Sequence, residues 1–68
     1  MAKSGVYKKI EVVGVSSKSV SDAIETAISK ASKSLRNLDW FEVAEIRGAI
    51  EKGKPTYQVA VKIGFRLE

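Results

Sequence analysis

The strictest pattern in the sequence is an alternation of apolar residues near its carboxyl end. From Thr56 to Leu67 the side chains follow the two-residue period of a β-strand. The apolar face would carry Tyr57, Val59, Val61, Ile63, Phe65 and Leu67, and the other face Thr56, Gln58, Ala60, Lys62, Gly64 and Arg66. We expect the apolar face to pack on a helix.

A helical period lies upstream of this strand. Apolar residues recur at the spacing of one helix face, in the order Val20, Ala23, Ile24, Ala27, Ile28, Ala31 and Leu35. Ser19 followed by Asp22 resembles a capping box and marks the start. Asn37 or the residues around it should end the helix, which gives it a length of about 18 residues, or roughly 27 Å. The alanines would let it approach a sheet closely.

Two further segments are typical of strands. The first runs from Val6 to Val13 and is expected to end at Gly14. The second runs from Trp40 to about Ile50, and its apolar residues change from odd to even positions. A bulge or bend near Ala44-Glu45, or burial of both faces in an assembly, would explain this change. Glu51 to Pro55 has the composition of a turn, with Pro55 closing the loop.

The predicted fold class is therefore α+β, in the order β-α-β-β, as a single domain of residues 1–68. The last two segments form an antiparallel hairpin, the first strand lies beside it, and one helix crosses the three-stranded sheet. Because the hairpin is longer than the helix, part of the sheet must stay uncovered or be covered by another copy of the chain.

Composition excludes several classes of function. A chain of 68 residues needs help to be stable, and the absence of Cys and His excludes disulfides, Cys/His zinc sites, and thiol or imidazole catalysis. Oligomerisation is the remaining way to stabilise so short a chain. Nothing marks a nucleophile or base, so we expect no enzyme and no catalytic or metal-binding residues.

Charge and hydropathy restrict the partners. The net charge of +4 could suggest nucleic acid, but the basic residues are scattered and no run exceeds Lys8-Lys9. A lone Trp also lacks the two or three stacking platforms that RNA-binding sheets show. With no apolar run of the ~20 residues that a membrane span needs and no signal-peptide segment, we expect a cytoplasmic protein without nucleic-acid or membrane partners.

Hairpin geometry separates two candidate binding residues. With the turn centred on Gly53, Trp40 would lie opposite Arg66 and Gln58 opposite Gly48. All four would share the face turned away from the helix, provided that the change of apolar period in the second strand does not intervene. Trp40 and Gln58 would then be about 26 Å apart. No small ligand reaches both within one chain, so a common site would lie between subunits.

Several separated segments resemble the bacterial branch of the dodecins, small flavin-binding proteins of β-α-β-β order. The likeness covers nearly the whole chain and rests on Leu38-Asp39-Trp40-Phe41-Glu42-Val43, Ile46-Arg47-Gly48, Tyr57-Gln58-Val59 and Gly64-Phe65-Arg66-Leu67-Glu68, with Lys8-Lys9 and Val13-Gly14 upstream. The resemblance implies a hollow homododecamer built from trimers, which binds flavins in pairs at subunit interfaces.

The resemblance also implies roles for four residues. Trp40 would stack on the isoalloxazine ring, Gln58 would hydrogen-bond the flavin, and Arg47 and Arg66 would lie near the phosphate of FMN or of coenzyme A. The implied function is storage and photoprotective quenching of FMN, with riboflavin and FAD as other flavin ligands and coenzyme A as a second ligand.

Alternatives stay open for each residue. Without the resemblance Trp40 is a core or interface anchor, Gln58 a solvated strand residue, and the arginines are surface ion-pair partners of Glu42 or Glu45. Those two glutamates, three apart on a strand, are expected on opposite faces. The alternative function is a small oligomeric sheet protein that binds nucleic acid or another anionic ligand.

Overall fold

The computed structural model describes residues 4–67; residues 1–3 and Glu68 of the expected 1–68 domain lie outside the described part. The element order is β1 (Tyr7–Ser16), α1 (Val20–Ala31), β2 (Leu38–Glu51) and β3 (Lys54–Arg66). The strands form one antiparallel sheet in the order β1-β3-β2. This confirms the predicted α+β arrangement of three antiparallel strands and one helix, and makes the strictly alternating strand the central one.

The core forms where β3 meets α1. Val59, Val61 and Ile63 are buried on one face of β3, and their partners are the helix alanines Ala23, Ala27 and Ala31. The β3 residues lie at odd positions of the predicted strand, and the three alanines lie four residues apart within the predicted helix stripe. The two predicted faces are therefore confirmed except at their ends, since Leu35 lies beyond α1 and Leu67 lies beyond β3 and is exposed. The small alanine side chains let the helix lie close to the sheet.

β1 does not end at Gly14, as the sequence suggested; it continues to Ser16. Gly14 pairs with Val59 and so lies on the helix side of the sheet. A Cβ atom added at Gly14 would lie 2.9 Å from the carbonyl carbon of Ala23. The glycine is therefore required by the close approach of the helix backbone and does not interrupt the strand.

The helix begins as predicted but ends earlier. The Ser19 hydroxyl accepts from the Asp22 amide at 3.0 Å, and the Asp22 carboxylate accepts from the Ser16 hydroxyl at 2.6 Å. α1 ends at Ala31 after 12 residues, not near Asn37. Ser-Lys-Ser follows Ala31, and serine favours local hydrogen bonds over the helix interior. Leu35, the last residue of the predicted stripe, lies half-buried beyond the end of the helix. Asn37 does adopt a left-handed φ of 62°, but within the connection to β2.

The hairpin closes more tightly than predicted. Lys52 and Gly53 form a two-residue turn, with φ of 53° and 78°, as the mirror-image hairpin turns require. Pro55 lies in β3 opposite Ile50 and not in the loop. Positive φ at two consecutive residues permits a shorter loop than composition alone indicates.

The predicted bulge in β2 is confirmed, and a second one is found. The register with β3 shifts between Val43 and Glu45, and again between Leu38 and Trp40. The shift between Val43 and Glu45 brings the odd-numbered and even-numbered apolar residues of β2 to the same, helix-side face, which explains the change of period in the sequence.

The helix leaves one strand uncovered. α1 packs over β1 and β3. Leu38, at the start of β2, packs against the core, but helix-side residues further along β2 stay exposed: Phe41 by 49%, Ile46 by 57% and Ile50 by 81%. An apolar strip of this kind on a small protein indicates an interaction surface. The expected incomplete cover of the sheet is therefore confirmed for the single chain.

Candidate functional site

All four predicted site residues lie on the face of the sheet that points away from α1, here called the open face. Val59, Val61 and Ile63 face the helix, so the intervening residues of β3, Gln58 and Arg66 among them, face the other way. Cross-strand partners share a face, which brings Arg47, opposite Gln58, to the open face. Trp40 pairs with Gly64 and lies there too.

The predicted register of these residues was wrong by one to two positions. Trp40 lies opposite Gly64 and not Arg66, and Gln58 lies opposite Arg47 and not Gly48. Gly48 pairs with Tyr57 on the helix side. The turn is centred between Lys52 and Gly53, which moves the register by one residue. The bulge in β2 adds another for residues beyond it.

Arg47 and Gln58 form a polar pair on the open face. The Arg47 Nε–H donates to Gln58 Oε1 at 3.0 Å. The Gln58 amide oxygen thus accepts from the guanidinium, and the amide nitrogen is available as a donor. Sequence reasoning selected both residues but did not predict their contact, because the one-residue register error separated them.

Trp40 lies across the central strand at the position of Gly64. A Cβ atom at Gly64 would come within 2.7 Å of Trp40 Cδ2 and closer to two other atoms of the indole. Lys9, the partner of Gly64 on β1, holds its ammonium 5.8 Å from the centroid of the Trp40 ring, within the range of a cation–π contact. Trp40 keeps 37% of its surface exposed, so the indole is supported from the sheet and accessible to a ligand.

The Lys9 ammonium also lies 3.7 Å from the Glu42 carboxylate, the ion pair found within residues 4–67. The sequence had suggested arginines as partners of Glu42 or Glu45. Moreover, Glu42 and Glu45 share the open face, opposite Lys62 and Ala60, because the bulge at residue 44 cancels the alternation that would separate them. The expectation of opposite faces was wrong for that reason.

Tyr7 joins the two edge strands near Arg66. Its hydroxyl donates to Asp39 Oδ2 at 2.9 Å. This hydrogen bond raises the pKa of Tyr7 above 10.0; partial desolvation and the Asp39 charge add to the effect, and the Arg66 charge opposes it. Asp39 occupies the second bulge, directly before Trp40. Neither Tyr7 nor the bulge carries a sequence signal that separates it from ordinary strand residues.

The open face holds two groups that are too far apart for one small ligand. Trp40 lies at the level of Gly64, six residues along β3 from Gln58, or about 20 Å. The sequence had predicted about 26 Å, and the conclusion is unchanged: within one chain, the indole and the Arg47–Gln58 pair cannot contact the same flavin-sized molecule.

Two further properties concern metals and membranes. Residues 4–67 contain no group of three or more carboxylates, histidines or cysteines placed to hold a metal ion. In the same part of the chain, α1 is neither long enough nor apolar enough to cross a lipid bilayer.

The fold and the site define a class of protein: a small β-α-β-β protein that presents one accessible indole and two arginines on the open face of its sheet. The family model for Dodecin matches residues 6–68. The chain is 56% identical over 64 residues to the dodecin of Thermus thermophilus, with 93% of each chain covered. This chain belongs to the dodecin family.

Solved structures agree with this assignment. The dodecin of Streptomyces coelicolor superimposes with a TM-score of 0.93 at 47% identity, covering 98% of this chain and 97% of that one. A calcium dodecin from Mycobacterium tuberculosis, described as having a novel calcium-binding site, gives a TM-score of 0.83 at 30% identity, covering 93% of this chain and 91% of that one. Dodecins are binding proteins that typically bind flavins, and assembly into dodecamers is known for the family.

Proposed function

We propose that this protein binds flavin, with FMN as the main ligand, and stores it without acting as an enzyme. The observation that carries the proposal is the indole of Trp40, supported by the sheet and partly exposed on the open face. Indole is the largest side-chain π surface, well suited to a flat tricyclic ring. Stacking of a base on an aromatic side chain, the nearest analogue, contributes about 1 to 3 kcal/mol.

We infer further that each flavin lies between subunits of a homododecamer built from trimers. Two features support an assembly: the separation of about 20 Å between Trp40 and Gln58 along one chain, and the exposed apolar strip on the helix side of β2. Residues 1–68 would act as one domain of this assembly. A flavin that stacks on the indole of one subunit would take its polar contacts from another.

The polar residues suit the edges of a flavin. Gln58 can donate from its amide nitrogen to a ring carbonyl while its oxygen accepts from Arg47. Arg66 presents a planar guanidinium on the exposed end of β3, suited to a phosphate group. That phosphate would belong to FMN, and coenzyme A is a second candidate ligand for the arginines. Riboflavin and FAD share the ring and would stack in the same way.

Stacking has a photochemical consequence. An indole in contact with an excited isoalloxazine ring shortens the excited state, and this limits the side reactions of a stored flavin. The proposed role is therefore a flavin buffer that also protects its ligand from light, and it requires contact with Trp40 but no catalytic base.

The purified protein tests the proposal directly. Its native mass gives the oligomeric state, its absorption spectrum shows whether a flavin co-purifies, and titration into FMN or riboflavin should quench the flavin fluorescence at a stoichiometric endpoint. Absence of quenching by the correctly folded protein, together with salt-sensitive binding of an oligonucleotide, would favour the alternative function.

Trp40→Ala tests the stacking contact. Loss of about 1 to 3 kcal/mol of stacking predicts roughly five- to 150-fold weaker binding of either flavin. Trp40→Phe keeps a smaller ring and serves as the graded control, with an intermediate loss. Native mass should be unchanged in both, because the side chain is not part of the core. Equal dissociation constants for the three proteins would contradict the stacking role.

A further inference from the structure

Gly64 is unusual among the residues of β3. It lies third from the end of the central strand, which runs from Lys54 to Arg66, and it is buried, although glycine weakens a strand. Its φ does not lie in the left-handed region; in residues 4–67 the glycine with positive φ is Gly53. The backbone at position 64 would therefore accept any L-residue. What the position lacks is space, because the indole of Trp40 occupies the place of its side chain.

The missing side chain decides how close the indole lies to the sheet. A Cβ atom at position 64 would come under 3.0 Å from three indole atoms, Cδ2, Cε2 and Cζ2. The ring therefore rests on the backbone of β3. An added methyl group would have to move it by about 1 Å or more before ordinary van der Waals separation returned.

We propose that Gly64 is a positioning residue for the flavin site: by leaving room beneath Trp40, it sets the height of the indole above the sheet and hence the space left for the flavin ring that stacks on it. The inference rests on the proposed flavin binding. Lys9 and Glu42 add a lateral constraint, because the Lys9 ammonium lies 5.8 Å from the ring centroid and 3.7 Å from the carboxylate of Glu42. A raised indole would leave this position and reduce the space for the flavin ring.

Gly64→Ala is the direct test. We expect about tenfold weaker binding of riboflavin, within the range that loss of an aromatic stack produces. The loss should be equal for FMN, because both ligands share the ring that stacks. In the protein without ligand, the near-ultraviolet circular dichroism and the emission maximum of Trp40 should change, since the indole moves relative to the sheet.

Gly5→Ala is the matched control. It makes the same chemical change, but a Cβ atom at Gly5 meets only Tyr7 at 3.8 Å and Arg66 at 3.9 Å, which are ordinary contacts. Its affinity for riboflavin and its tryptophan spectrum should match those of the unaltered protein. Loss of affinity in Gly64→Ala but not in Gly5→Ala supports the proposal, and unchanged riboflavin affinity in Gly64→Ala overturns it.

Stability measurements separate positioning from a need for glycine itself. Gly64→Ala should be destabilising when Trp40 is present and neutral or stabilising in a Trp40→Ala background, because alanine is otherwise the better strand residue. If Gly64→Ala fails to assemble, the double variant should assemble again. Equal destabilisation in both backgrounds would overturn the proposal.

Failure of the flavin function would look different from failure of this inference. If the unaltered protein does not quench riboflavin, the proposed function fails, while the tryptophan spectra and the stability comparison still report whether Gly64 positions Trp40. If the unaltered protein binds and Gly64→Ala binds equally well, the proposed function stands and the role of Gly64 is refuted.

Discussion

The two arginines of the open face should affect flavin binding in different ways, and the structure predicts how. Arg47 donates to Gln58 at 3.0 Å, so its influence on a flavin ring passes through the orientation of the amide. Arg66 makes no such contact with Gln58; its position on the exposed end of β3 suits it to a phosphate. Comparison of riboflavin with FMN separates the roles, because only FMN carries a phosphate.

The magnitudes follow from exposure and charge. A hydrogen bond to a charged group contributes about 1.5 to 3 kcal/mol, but Arg66 is exposed, so solvent screening reduces the expected contribution to about 1 kcal/mol. Arg66→Ala should therefore weaken the binding of FMN by roughly fivefold and leave the affinity for riboflavin unchanged. Arg47→Ala should weaken both flavins by about two- to threefold, as loss of one exposed hydrogen bond that orients an amide predicts.

The assay is a pair of fluorescence-quenching titrations for each protein, and the deciding quantity is the ratio of the FMN and riboflavin dissociation constants. That ratio should rise for Arg66→Ala and stay constant for Arg47→Ala. Added salt should reduce the FMN preference of the unaltered protein, because it screens the phosphate contact. In a Gln58→Ala background, Arg47→Ala should have no further effect on riboflavin.

Two outcomes would refute this reasoning. If Arg47→Ala changes the ratio as much as Arg66→Ala does, Arg47 contacts the phosphate and its bond to Gln58 does not persist in the complex. If the effects of Arg47→Ala and Gln58→Ala on riboflavin simply add, the two side chains act independently, and the hydrogen bond between them has no part in binding.

Two further predictions concern stability, measured at one fixed protein concentration because the chain is expected to assemble. Gly14→Ala should lower the free energy of unfolding by about 1 to 3 kcal/mol in chemical denaturation, since the new methyl group would meet the backbone of Ala23; unchanged stability would mean that the helix can move away at little cost. Tyr7 has a pKa raised above 10.0 by its hydrogen bond to Asp39, so its contribution is complete below pH 10.0 and is lost as the pH rises through the folded-state pKa. Tyr7→Phe should therefore show a smaller fall of melting temperature above pH 10.0 than the unaltered protein, and identical curves would contradict the assignment.

Sequence patterns predicted the parts of the fold that depend on periodicity. The alternation of β3, the alanine-rich stripe of α1 and the cap at Ser19 each correspond to a local physical requirement, and all three were confirmed. The change of apolar period in β2 likewise located its bulge near Glu45. These features could be predicted because a few neighbouring residues determine them.

Features that depend on contacts between distant segments were not predictable in this way. Gly14 has the composition of a strand end, and only the passage of the helix backbone over it explains its place within β1. The alternation also predicted opposite faces for Glu42 and Glu45, whereas the bulge between them places both on the open face. Within the candidate site, the contribution of Gly64 is invisible in sequence, because a glycine carries no side chain to suggest a role.

The same register that corrected the sequence prediction also explains why the proposed function requires assembly. One chain presents the indole at one end of the open face and the Arg47–Gln58 pair about 20 Å away, and its uncovered strand offers an apolar strip for another copy. A ligand that contacts both groups then binds only where two subunits meet. By linkage, such a ligand stabilises the assembly over the separate chains. For a chain of 68 residues without Cys or His, oligomerisation and flavin binding would thus strengthen each other, and the isolated subunit would leave its apolar strip exposed and its site incomplete.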